Sequence, residues 1–394
     1  MKQLYKPSSM IPYGHQHIEK DDIDAVVQVL KSDFLTQGQM VPEFELAFSD
    51  YISAKYAIAT NSGTSALHIA CISLGLERGK SLWTTPISFV ASANCGLYCG
   101  ADIDFIDINN KTYNIDIDKL NMKLEQAKKD NKLPYILVVV HFAGLSCDME
   151  KINLLSKKYG FLVIEDACHA LGGSYKNNRI GSCLYSDITV FSLHPVKSIT
   201  TGEGGMAMTN NKVLADKMRL LRSHGITRDM VLDDKLKAQP WYYEQIYLGF
   251  NYRMTGIQAA LGISQLKKLD NFVIKRNRIA DTYYDLLSHL PLQLPFRNSK
   301  YYSAQHLFVV RIQTEDISMS HNEVFNYLRK YNIGVNLHYI PIYKQPFYKA
   351  IGFDERNFPE SERYYSEAIT LPMYPELSNN QIKYISSVLE KALL

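Results

Sequence analysis

Phe191-Ser192-Leu193-His194-Pro195-Val196-Lys197-Ser198-Ile199-Thr200-Thr201-Gly202-Glu203-Gly204-Gly205 reads as the end of a buried strand, a proline-bearing turn that presents one lysine, and a glycine-rich loop entering another strand. Similar short β-rich runs precede it at 56–60, 81–85, 102–107, 135–141 and 161–165, and the flanking runs are 188–193 and 205–209. Amphipathic stretches at 65–74, 88–98, 117–128 and 149–158 separate them. Strands alternating with helices predict an α/β architecture. A mostly parallel seven-stranded sheet would lie between two helical layers. The unbroken apolar run Ile136–Val140 suits a strand covered on both faces.

Beyond residue 255 the pattern changes. One long helical periodicity runs from Thr255 to about Leu290, followed by a strand at 307–312, a helix at 322–331, a strand at 334–339 and a closing helix at 379–393. This predicts a large domain over 1–265, with an N-terminal arm over 1–19, and a smaller α+β domain over 266–394. The formal charge of +3 is small, and its lysines and arginines are dispersed, which argues against nucleic acid or an anionic membrane as partner. No stretch approaches the ~18 apolar residues of a membrane helix, and Met1–Tyr13 lacks the apolar core of a secretion signal. The six cysteines show no CxxC pairing or metal-type spacing, so reduced thiols, no metal and a cytoplasmic location are expected.

Two further motifs carry chemistry. Asn61-Ser62-Gly63-Thr64-Ser65 follows a strand and opens a helix. Its free first-turn amides, with the Ser62 and Thr64 hydroxyls, can cradle a phosphate against the helix dipole; an ordinary N-cap is an equal reading. Glu165-Asp166-Ala167-Cys168-His169 ends a strand, which puts a carboxylate at the ligand-binding edge of an α/β sheet, or simply caps a helix. A buried lysine with a lowered pKa is what Schiff-base chemistry needs, and Lys197 is the candidate.

Taken together, strand–Ser-Gly-Thr–helix, strand–Glu-Asp-Ala-x-His, and Phe-Ser-x-His-Pro-x-Lys followed by Thr-Thr-Gly-Glu-Gly-Gly resemble the fold-type-I, vitamin-B6-dependent nucleotide-sugar aminotransferases of the DegT/DnrJ/StrS type. The likeness continues through Arg222-Ser223-His224-Gly225, Gly249-Phe250-Asn251-Tyr252-Arg253-Met254 and His338-Tyr339-Ile340-Pro341, covering about residues 12–343. Thr84-Thr85-Pro86-Ile87-Ser88-Phe89-Val90-Ala91 and His169-Ala170-Leu171-Gly172 point within that family to the transaminases of pseudaminic acid synthesis. One departure shows: many relatives carry an acidic residue where Gly256 stands.

The resemblance implies pyridoxal 5'-phosphate as cofactor, with Lys197 as the Schiff-base lysine and proton shuttle and Asp166 paired with the pyridinium nitrogen. Phe89 would stack on the ring and His169 would border it, while Gly63, Thr64 and Ser192 hold the phosphate. Asn251 would reach the phosphate from a neighbouring subunit, so a homodimer with shared sites is implied. Tyr13, Asp33, Phe34, Leu35, Thr36, His338 and Tyr339 would surround a nucleotide-sugar. The expected substrates are L-glutamate and a UDP-linked 4-keto-6-deoxy sugar, aminated at C4. Related dehydratases carry histidine at the lysine position, and a non-catalytic relative would have lost Lys197 or Asp166. Transfer to another nucleotide-linked keto sugar stays open at this stage.

Overall fold

Every side chain of the strand Ile136–Val140 is buried. Ile136 and Val138 enter one hydrophobic cluster and Leu137 and Val139 another, as a period-2 backbone covered on both faces requires. The computed structural model describes residues 7–228, 239–313, 315, 317–354 and 357–394, so the first six residues of the expected N-terminal arm lie outside the described residues.

The central sheet contains β1 (Tyr56–Thr60), β2 (Ser81–Thr84), β3 (Asp102–Phe105), β4 (Ile136–Val140), β5 (Leu162–Asp166), β6 (Ile188–Ser192) and β7 (Gly205–Thr209). Their spatial order is β1-β7-β6-β5-β4-β2-β3. The four contacts from β6 through β3 are parallel, while β7 runs antiparallel to both β1 and β6. The expected seven-stranded, mostly parallel sheet is therefore present. Helices α1 (Lys20–Leu30), α2 (Met40–Ile52), α3 (Gly63–Ser73), α4 (Ala91–Tyr98), α5 (Ile117–Lys129), α6 (Met149–Tyr159) and α7 (Lys212–Arg222) supply its covering.

Register aligns one edge of the sheet. Thr60 and Ser192 both pair with Gly205, and Asp166 pairs with Val140 and Val190. The turn after β1 lies so close to β7 that a Cβ on Gly205 would sit 2.3 Å from the Ser62 carbonyl oxygen and 2.7 Å from the Gly63 nitrogen.

The periodicity from Thr255 onward is not one helix. It divides into α8 (Gly256–Leu266) and α9 (Leu269–Leu287), and the junction is tied to the start of α1. Lys268 turns its ammonium onto Glu19, Asp21 and the buried Asp22, at 2.9, 2.6 and 2.8 Å. Asp22 also accepts from Ser264 Oγ and Gln265 Nε2, so the start of α1 is bound to the α8–α9 junction.

The C-terminal elements β8 (Leu292–Gln293), β9 (Phe308–Ile312), α10 (His321–Lys330), β10 (Ala368–Leu371) and α11 (Asn379–Leu393) share a core with the second half of α9. The expected strand at 334–339 does not form. Only Asn336 bridges, to Thr370, because the neighbouring polar groups are used elsewhere: the Gly334 amide donates to Ile11 at 2.7 Å and the His338 carbonyl accepts from Tyr364.

Overfilling a packed position costs about 1–3 kcal/mol. Gly205→Ala should lower the urea-derived unfolding free energy by about that amount, because its methyl meets backbone that cannot rotate away. An unchanged unfolding curve would show that the 61–63 turn is not pinned against β7.

Candidate active site

The aligned sheet edge opens into a cleft of about 870 Å³. Ser62 caps α3, its hydroxyl oxygen accepting from the Ser65 amide at 3.1 Å. The amides of Gly63 and Thr64 have no acceptor within the helix and lie at its positive end. Gly63 is required by proximity, since a Cβ there would sit 3.0 Å from that of Ser192. The two strand ends and the helix start therefore form a cradle of small polar groups.

Lys197 stands in the loop between β6 and β7. The loop folds back on its own strand end: the amides of Leu193 and Thr201 donate to Gly204 and Leu193, at 2.9 and 3.0 Å, and the Lys197 amide donates to His194 at 2.9 Å. Thr200 extends the restraint, its amide donating to Gln265. Removal from water pulls the Lys197 ammonium below the usual lysine range, and the nearby Cys168 thiol and Asp166 carboxylate partly counter that shift.

Asp166, at the end of β5, is held from two sides. One oxygen accepts from Ser92 Oγ at 2.6 Å and the other from the Cys168 amide at 3.2 Å. Because Ser92 donates to the carboxylate, the 2.6 Å contact between Ser88 and Ser92 has Ser88 as donor. Glu165 points the opposite way, accepting from His141 Nε2 at 2.7 Å and from Thr189 at 3.0 Å.

Three histidines and a tyrosine complete the wall. His169 Nδ1 accepts from the Ala143 amide at 3.3 Å, while Nε2 meets the Tyr339 hydroxyl at 3.0 Å. His306 packs on His169 with ring centroids 4.4 Å apart, and its buried Nδ1 has no partner. His338 contacts Thr370 Oγ1 at 2.9 Å and Tyr13 ring to ring. Burial and then the Lys197 charge push His338 down to about 3 and hold His169 well below the usual histidine value. Burial first, and then the Lys197 and Arg276 charges, do the same to His306. No arginine is among the described residues that line the cleft.

Of the residues singled out from sequence, Tyr13, Gly63, Thr64, Phe89, Asp166, His169, Ser192, Lys197, His338 and Tyr339 come together here. Phe89 is 57% exposed, which is not the burial of a core phenylalanine. Asp33, Phe34, Leu35 and Thr36 are exposed and do not line this chain's cleft; the Leu35 carbonyl accepts from the Gly256 amide at 2.8 Å. A Cβ on Gly256 would lie 3.1 Å from that oxygen, so glycine permits the close approach. Asn251 is likewise exposed and outside the cleft. Sequence reasoning missed Ser88, Ser92, Ala143 and His306. The serines carried a faint signal, an i,i+4 pair at a helix start. A lone histidine before a strand carried none.

The Lys197 environment makes a direct prediction for the cofactor-free protein. With its lysines labelled by reductive ¹³C-methylation, Lys197 should titrate below the bulk lysines, and Asp166→Asn should lower it further by removing a favourable negative charge. A Lys197 resonance that titrates with the bulk would show a solvated ammonium.

The model of the DegT/DnrJ/EryC1/StrS aminotransferase family matches residues 16–390. The UDP-4-amino-4,6-dideoxy-N-acetyl-beta-L-altrosamine transaminase of Campylobacter jejuni subsp. jejuni serotype O:23/36 is 40% identical over 389 residues, covering 97% of this chain and 98% of the relative. Helicobacter pylori PseC, an aminotransferase of pseudaminic acid biosynthesis, superposes with a TM-score of 0.88 at 32% identity, over 98% of this chain and 99% of PseC. The PLP form of the sugar aminotransferase Spr1654 from Streptococcus pneumoniae gives 0.86 at 26% identity, over 98% of this chain and 100% of the other. With the sheet edge, the cradle and the lysine loop in place, the match shows that the chain belongs to the DegT/DnrJ/EryC1/StrS aminotransferase family.

Proposed function

We propose that this chain is a pyridoxal-phosphate-dependent aminotransferase that moves the amino group of L-glutamate to C4 of a UDP-linked 4-keto-6-deoxy-N-acetylhexosamine, in pseudaminic acid biosynthesis. The observation that carries the reaction class is the convergence of Lys197, Asp166 and the Gly63–Thr64–Ser192 cradle in one cleft. Support for the sugar comes from the Campylobacter relative, similar along nearly its full length. A histidine in place of Lys197 would have favoured dehydration.

The residues present fit the cofactor. Gly63, Thr64 and Ser192, small residues lining the cleft at a helix start, suit a phosphate, a buried carboxylate suits a ring nitrogen, and a lysine with a lowered pKa suits a carbonyl. When bound, the cofactor supplies that carbonyl and an aromatic ring able to draw electrons from the reacting carbon. The chain does the rest. Asp166 is held in place by the hydrogen bonds that Ser92 Oγ and the Cys168 amide donate to it. Lys197 Nζ, released for catalysis, takes and returns the proton at the reacting carbon, a role its depressed pKa serves. Phe89 lines the cleft and would offer its ring to a face of the cofactor.

Lys197→Ala should fold normally and retain less than a few per cent of amino transfer, since losing acid–base catalysis alone costs ~10²–10⁴ in rate. Borohydride treatment of the loaded wild-type protein should fix the cofactor to the peptide containing Lys197, read by mass spectrometry. Near-normal turnover, or label on another lysine, would remove Lys197 from this role.

The active form is read as a homodimer with shared sites. Asn251 lies outside its own cleft, and the stretch before it exposes Trp241 at 72% and Leu248 at 84%, an apolar surface suited to a second copy. Lys197→Ala and Asn251→Ala chains, each nearly inactive, should regain roughly a quarter of wild-type activity when refolded together, because about half the dimers are mixed and each has one intact site of two. No gain, with mixed dimers confirmed by mass, would place Asn251 in its own chain's site.

A further inference from the structure

Amino transfer brings two different molecules to the same lysine, and one of them carries a carboxylate on the reacting carbon. Among the described residues lining the cleft, Lys197 is the one lysine and there is no arginine. On the reading given above, Lys197 is engaged with the cofactor or the travelling proton. Within this chain's own share of the cleft, the candidate partners for the α-carboxylate of the amino donor are therefore neutral hydrogen-bond donors beside Lys197.

The wall supplies one whose polarity is fixed. The amide hydrogen of Ala143 points at His169 Nδ1, so that nitrogen carries a lone pair. Burial, then the charge of Lys197, keep the ring neutral, and a neutral imidazole with an accepting Nδ1 bears its only N–H on Nε2. Nε2 therefore donates to the Tyr339 oxygen. The phenolic hydrogen cannot return along that bond and is left to point into the cleft. Burial raises the Tyr339 pKa, so the hydrogen stays in place.

The device is anchored on one residue. Ala143 holds φ at +55°, a left-handed backbone that a non-glycine residue adopts only at a cost. Its amide serves His169, and its carbonyl accepts from the His306 amide at 3.0 Å. The buried Arg276 donates to the His306 and Met373 carbonyls, at 3.3 and 2.9 Å. His169 is thereby held against a second imidazole that is itself fixed.

We propose that Tyr339 donates its hydroxyl hydrogen to the α-carboxylate of the amino-acid co-substrate, and that His169 is the positioning residue that sets this direction. The inference rests on the aminotransferase reading. The proposed keto sugar has no carboxylate on its reacting carbon, so the sugar half-reaction lacks the charge-assisted hydrogen bond that the hydroxyl makes in the amino-acid half. Its loss should therefore fall unequally on the two halves.

The test uses the cofactor-loaded protein with Tyr339→Phe, His169→Ala and His169→Gln. Glutarate, a dicarboxylate with no amine to react, reports binding by calorimetry, and each half-reaction is followed separately by absorbance. Tyr339→Phe should weaken glutarate and raise the glutamate KM by about tenfold to a hundredfold, with a clearly smaller loss in the sugar half-reaction and Tm unmoved. His169→Ala should reproduce most of this loss yet add little in the Tyr339→Phe background. Gln, whose amide also accepts and donates, should restore most of it. Unchanged glutarate affinity, equal losses in both halves, or additive effects in the double variant would each overturn the proposal. A wild-type protein that binds glutarate and accepts glutamate's amino group, yet aminates no UDP-linked ketone, would refute the sugar assignment alone.

Discussion

A lysine ammonium drawn out of water is unstable unless its surroundings answer its charge, and the cleft is organised around that demand. Asp166 and Cys168 answer it in part, while the three imidazoles nearby respond by staying neutral. Protonating any of them would set a second cation against Lys197 in a region of low dielectric. The site thus concentrates its positive charge on one nitrogen. The hydrogen-bonded loop of 193–204 fixes where that nitrogen can go, and Gln265 ties the loop to α8 and through Asp22 to α1.

The fold was legible because it depends on local signals. All seven strands of the sheet show as short apolar runs between amphipathic stretches, and Ile136–Val140 declared a strand buried on both faces. Two readings failed where distant contacts decide the outcome. The periodicity across 255–290 carries no mark of the break at Lys267–Lys268, and the acids that Lys268 meets there sit far off in sequence, at Glu19, Asp21 and Asp22. The run 334–339 has β-like composition, but its backbone partners lie at Ile11, Tyr364 and Thr370.

The candidate site divides in the same way. Lys197, Asp166 and Gly63 sit in motifs whose chemistry shows in the residues themselves. Ser92 becomes meaningful only when α4 brings it to Asp166, and His306 only when the segment before β9 folds onto Ala143. Nothing in the composition of those segments distinguishes them from ordinary helix and core. The exposed placement of Asn251 and of Asp33–Thr36 shows the same limit from the other side: resemblance can nominate a residue, but one chain's cleft need not contain it.

Glu165 and Asp166 are neighbours on β5 with opposite surroundings. The first lies among His141, Ser186 and Thr189, the second in the cleft. Because strand side chains alternate, these destinations are a matter of phase. A single residue inserted or deleted within β5 would exchange the two carboxylates, sending the longer one into the cleft and the shorter one toward an imidazole it would have to reach across a gap. Such a chain could keep its composition and most of its apolar core while losing the site outright. The strand itself therefore acts as a reading frame for the chemistry at its end.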